Sequence, residues 1–166
     1  MTLQKFKFSR SEQGVHRSLP ITYISGTGTA GADNTAQTVK TLVLPANTLM
    51  TVGDRLRISA YWRGDTGVVI TGSVKVGPAA SEVLVGDVTD AGGTAIMLTE
   101  AWLHYIDNTH ANIIEHEPGG LGTLSAANVS GFTWNAAQNI LFTQDAAVGN
   151  HCVLFALTVD KFLKAT

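Results

Sequence analysis

The chain has 166 residues, enough for one domain that buries a core without metal or disulfide staples and too few for a second full domain. Asp, Glu, Lys and Arg make up 14% of it, against roughly 25% in an ordinary soluble domain, while apolar residues make up 45%. A formal net charge of −2 gives no electrostatic footprint for nucleic acid or an anionic membrane, and no apolar run is long enough to span a bilayer. A surface so poor in charge suits being covered by neighbours in an assembly.

The first stretch, MTLQKFKFSRSEQGVHR, has no continuous apolar core of the kind a signal peptide needs, so the product is expected to be made in a cytoplasm and not exported by that route. Residues 1–19 are polar and basic, with Lys5, Lys7, Arg10 and Arg17 against only Phe6, Phe8, Val15 and Leu19 as apolar anchors. They read as an arm or an edge strand, and the four basic residues as its docking element. A connector rich in Gly, Thr, Ala and Asn follows, SGTGTAGADNTAQT at 25–38. Within it GTGTAG fits G-x-G-x-x-G, but a dinucleotide site needs those glycines to open a helix, and ADNTAQTVKTLVLP runs instead to a strand and a proline. Residues 1–37 are therefore assigned to arm and connector and residues 38–166 to one folded domain.

From Val39 strand signals come at short intervals, at 39–44, 55–63, 68–76, 82–87, 95–106, 111–116, 138–143 and 151–163. Pro45 stops the first of them, and Gly53-Asp54 closes the loop LPANTLMTVGD before the next begins. After that turn the period is two: Leu56, Ile58, Ala60 and Trp62 face one way, and Arg55, Arg57, Ser59, Tyr61 and Arg63 the other. No stretch carries a helical stripe with caps. About eight strands with short connections predict an all-β antiparallel sandwich or jelly roll.

Few residues point to chemistry. Cys152 is the single cysteine and sits in the apolar run HCVLFALTV, which predicts a buried thiol. His104, Asp107, His110, Glu115, His116 and Glu117 flank a DNTH turn that can bring imidazoles and carboxylates together, yet their spacing matches no metal motif and they read as solvated strand-end residues. No G-x-S-x-G elbow is present. No catalytic residue, metal or cofactor is expected, and the protein is expected not to be an enzyme. Among Tyr61, Trp62, Trp102, Tyr105 and Trp134, the parity of Trp62 turns it into the core and Trp102 reads the same way. Trp134, in a polar Gly/Asn loop, is the candidate exposed ring that contacts a ligand.

Two strands are apolar on both faces. Ile96, Leu98 and Trp102 share one parity and Met97, Leu103 and Tyr105 the other, while Leu154 opposes Val153, Phe155, Leu157 and Val159. One face can fill a core; the other needs cover from a second subunit, with Leu103, Tyr105 and Leu157 as the expected contact, or from the arm or a long loop.

The run TLVLPANTLMTVGDRLRISAYWRG resembles the strand-loop-strand signature of small β-sandwich proteins of tailed bacteriophages, among them head-fibre, capsid decoration and tail-fibre-like products. GTAIMLTEAWLHYIDN is similar to their long central strand and NILFTQDAAVGNHCVLFALTVDKFL to their closing pair, so the resemblance covers about residues 38–163. It implies a jelly roll in the manner of C1q and tumour-necrosis-factor domains, assembled as a homotrimer and displayed on a virion. It also implies partners such as the major capsid protein or, for a receptor-binding or carbohydrate-binding module, host surface glycans. No coiled-coil stalk is visible, which favours a compact decoration protein or spike over a long fibre.

Overall fold

The computed structural model describes residues 17–19, 36–64, 69–90, 96–116, 125–146 and 152–164. They form ten strands and no helix: β1 (Arg17–Leu19), β2 (Gln37–Leu44), β3 (Arg55–Gly64), β4 (Ile70–Gly77), β5 (Val83–Asp90), β6 (Ile96–Tyr105), β7 (His110–His116), β8 (Ser125–Ser130), β9 (Gln138–Ala146) and β10 (Cys152–Phe162). One sheet has six strands in the order β1-β10-β3-β6-β7-β8, the other four in the order β2-β9-β4-β5.

The winding follows from the pairings. β1 pairs with β10, β2 with β9, β3 with β6 and β4 with β5, all antiparallel, and successive pairs alternate between the two sheets. These are nested hairpins rolled into a sandwich of the jelly-roll type, within the all-β class expected from the strand pattern. β7 and β8 form an added hairpin that widens the larger sheet beyond β6. β8 escaped the sequence reading because SAANVS offers one large apolar side chain in six residues and lies on an edge with one paired side.

The period-two reading of β3 holds: Leu56, Ile58, Ala60 and Trp62 are each 0% exposed. They meet Val74, Val76, Ile140 and Phe142 from the smaller sheet, every one fully buried. Apart from Ala60, which has a single methyl group, each such side chain contributes about 1.5–3 kcal/mol by leaving water. Trp62 donates Nε1–H to Thr99 Oγ1 at 3.2 Å and lies over Gly72 of β4, where a Cβ would come within 2.4 Å of its ring. Only a residue without a side chain lets the indole span the two sheets there.

The loop after β2 is a structural latch. Asp54, 2% exposed, accepts Met50 N–H at 3.0 Å and Thr51 N–H at 3.1 Å on Oδ2, and Lys164 N–H at 3.1 Å on Oδ1. Its backbone carbonyl accepts Tyr105 N–H at 3.0 Å, so one residue ties the loop to β6 and to the segment after β10. Leu49, fully buried, and the Thr48 hydroxyl on Pro45 O at 2.6 Å hold the rest of PANTL against the core.

The expected subunit contact is corrected here. Leu103 and Leu157 are both 0% exposed and belong to this subunit's own core, and Tyr105 packs against that core. In β6 the inward parity is that of Met97, Thr99, Ala101 and Leu103. In β10 a bulge between Leu154 and Ala156 shifts the alternation, so Leu154, Leu157 and Val159 all point inward despite their mixed parity.

Candidate functional site

The outer face of the six-stranded sheet carries the most distinctive surface chemistry among the described residues. Register alone lays it out as a grid across β10, β3, β6 and β7. One row is Phe162, Arg55, His104 and Asn112; the next is Asp160, Arg57, Trp102 and Ile114; the third begins Thr158, Ser59 and Glu100. Further rows place Ala156 with Tyr61 and Leu98, then Val153 with Arg63 and Ile96. The outer face of the smaller sheet is plainer, with a Thr71–Thr89 hydroxyl pair at 2.9 Å and the cross-strand neighbours Thr41, Leu141 and Lys75.

Arg57 is the hub. It donates Nε–H to Asp160 Oδ2 at 3.0 Å and also pairs with that oxygen through Nη2. Its guanidinium lies 5.5 Å from the Trp102 ring centre and 5.9 Å from that of Phe162, and the two rings are 5.1 Å apart. Arg55 lies 5.8 Å from the same Phe162 ring. Cation–π contacts of this kind contribute about 0.5–1 kcal/mol at exposed sites and more as water is excluded. Trp102 donates Nε1–H to Glu100 Oε1 at 2.9 Å, and Ser59 donates to Glu100 Oε2 at 3.3 Å. Asp160, although on the outer face, is 1% exposed, and its Oδ1 has no hydrogen-bond partner. Burial, then the positive charge of Arg55, hold the His104 pKa below its ordinary 6.5.

Trp102 is thus half-buried on the outer face and not in the core, a correction to its sequence reading. Trp134 is corrected the other way: it is 1% exposed, stacked on Phe132 at 5.1 Å, and cannot serve as an exposed ligand platform. Backbone ties, Asn47 N–H to Trp134 O at 2.6 Å and Trp134 N–H to Asn108 O at 2.9 Å, join its loop to the loops that follow β2 and β6.

Among the described residues the histidines and carboxylates form no common site, although Asp107 and His110 pair with each other. His104 lies in the grid, and buried Glu115 accepts Asp87 N–H across the sandwich. His116 sits at the register position opposite Glu100, and Glu117 lies outside the described residues. Among the described residues no group of three His, Cys, Asp or Glu side chains could hold a metal ion. Lys5, Lys7, Arg10 and the GTGTAG stretch also lie outside the described residues, Arg17 opens edge strand β1 opposite Lys161, and Cys152 stands opposite Gly64 at the start of β10.

Asp107 and His110 have a local role. The Asp107 carboxylate accepts Thr109 N–H at 2.7 Å, His110 N–H at 2.9 Å and His110 Nδ1 at 2.9 Å, closing the β6–β7 turn. The Thr109 N–H, then the His110 side chain, lower its pKa from 3.8 to about 2. Because the folded value lies below the ordinary one, the turn's contribution is complete above 3.8 and is lost as pH falls toward about 2. A carbon-detected NMR titration should place the Asp107 carboxylate midpoint near 2; a midpoint near 3.8 would mean the turn does not hold the carboxylate this way.

No protein-family model matches the chain, and no curated protein matches it.

Proposed function

We propose that the protein is a structural subunit of a bacteriophage particle, a capsid decoration or head-fibre protein, that acts by binding and without catalysis. In this reading it assembles as a homotrimer through the outer face of the six-stranded sheet and meets other virion proteins, such as the major capsid protein, through its basic arm. The Trp102–Arg57–Phe162 cluster with Ile114 is the observation that carries it. Trp, Arg and Phe are among the side chains enriched where proteins contact one another, and here they sit together on one face of the sheet. At ordinary strand spacing, three columns of five rows and a fourth of three cover about 590 Å². A standard interface uses about 800 Å² per partner. The phage setting and the threefold number rest on the resemblance of the PANTL and GDRLRI segments.

The test has two arms. Light scattering at neutral pH should give about three times the 17.5 kDa chain mass, and Ile114→Glu should reduce it to that of one chain. Ile114 is 39% exposed, so the charge should leave the subunit folded. Antibodies against the purified chain should label intact phage particles from the source. A single-chain mass at high micromolar concentration overturns the assembly, and protein recovered only free of particles overturns the virion role. A second reading, a module that binds host surface glycans, draws on the polar groups beside the Trp102 ring; it predicts glycan binding that Trp102→Ala abolishes.

A further inference from the structure

We infer that Glu115 holds the edge strand β5 closed, so that the outward amide of β5 is not offered to a second copy of the chain as a place to add a strand. The closure concerns an edge of the sandwich and is independent of the sheet face used in the assembly reading. β5 bonds to β4 and ends the four-stranded sheet, and among the described residues no strand lies on its other side. Such an edge is a template for pairing, and β5 of a second copy, turned about a twofold axis, offers the same row of backbone groups to meet it. Glu115 reaches this side from the other sheet. It stands opposite Ala101 and shares the parity of Ala111 and Ile113, on a buried row where an acid is costly unless its carboxylate is hydrogen-bonded. Its Oε1 accepts Asp87 N–H, and an amide bonded to Glu115 is one that does not face β4. Gly86 lets the strand come this close: a Cβ there would stand 3.0 Å from Glu115 Oε1 and 2.9 Å from Thr99 Cγ2.

The edges β2 and β8 are blunted within their own strands. β2 has a bulge between Thr38 and Lys40, and Lys40 stands opposite fully buried Phe142, which sets a charged residue on the inner face at the rim. β8 has a bulge and carries Asn128 at φ 60° less 4°, that is 56°, outside strand geometry. β5 is bulged as well, where the register shifts between Val74 and Lys75, but from Gly86 to Asp90 it runs regularly opposite Val74 to Ile70. Asp87 lies in that regular stretch, so Glu115 guards what the bulge leaves open.

Hydrogen exchange and sedimentation of Glu115→Ala in the full chain test this. Exchange at the Asp87 amide should quicken about tenfold or more, and the mass should grow with concentration beyond that of the unaltered chain. Glu115→Gln keeps an oxygen acceptor and should show little of either change. Thr89 lies two residues on, with its N–H on the same side as that of Asp87, so adding Thr89→Pro to Glu115→Ala removes a second outward donor and should return the mass to that of the unaltered chain. Gly86→Ala, which crowds Glu115 from the side of β5, should open the same edge and serves if Glu115→Ala does not fold. Exchange at Asp87 that is unchanged without the carboxylate overturns the closure. A folded variant whose mass stays that of the unaltered chain, or whose growth Thr89→Pro does not stop, overturns the second copy as the strand that Glu115 keeps out.

Discussion

Alanine at Gly72 is expected to lower stability by about 3 kcal/mol, although it adds a single methyl group. The new Cβ would stand 2.4 Å from Cδ2 and 2.5 Å from Cε2 of Trp62, a ring with no room to retreat because Trp62 is fully buried and tied to Thr99. Relief requires either the two sheets to part or the indole to leave its rotamer, and both disturb the central layer of the core. In a protein of this size the loss corresponds to a fall in Tm of about 6–12 °C. The cause can be separated from a general intolerance of β4: in a Trp62→Leu background the same alanine should cost much less. Strictly additive costs, measured by urea unfolding, would rule out the overlap as the reason.

Asp54→Ala should cost a similar amount, about 3 kcal/mol, through the opposite mechanism, a lost acceptor. Three backbone N–H groups, from Met50, Thr51 and Lys164, converge on this carboxylate in a site with almost no access to water. Without it they must find water or remain unbonded, and charge-assisted bonds to backbone are among the stronger ones. Asp54→Asn keeps one oxygen but brings an NH2 group against donors, so it should recover less than half of the loss. Hydrogen exchange should show the effect spreading to Lys164, 110 residues away in sequence. Protection unchanged at Lys164 would mean that the latch does not couple the two segments.

The contrast between these residues and the outer grid shows what a linear reading can reach. The alternation of Leu56 to Trp62 is local, and it placed β3 and its inward face correctly; Gly53-Asp54 likewise marked the turn. The facing of β6 is not local. Both of its parities are apolar, and Leu103, not Trp102, goes inward because β6 pairs with β3 in the register Leu56 to Leu103. In β10 the bulge after Leu154 breaks the count on which parity depends. The polar neighbours of Trp134 point outward in the linear sequence, whereas the ring is buried against Phe132 in a loop bonded to Asn47 and Asn108, both distant in the chain. Of the grid, the arginines of β3 could be read as an outward column. Asp160 and Phe162 could not be set beside them until strand order was known.

That strand order also constrains how the chain can be made. β3 lies between β6 and β10 in its sheet, and Arg57 and Asp160 are 103 residues apart. At ribosomal speed, β10 emerges roughly 5–20 s after β3. Throughout that interval one flank of β3 has no strand to bond, and a neighbouring nascent chain offers the same open flank. Antiparallel pairing of two such flanks would set arginines from Arg55, Arg57 and Arg63 close together across the new seam, like charge against like. The same three arginines that face outward in the finished sheet therefore discourage the mispairing to which a late-arriving central partner exposes the growing chain.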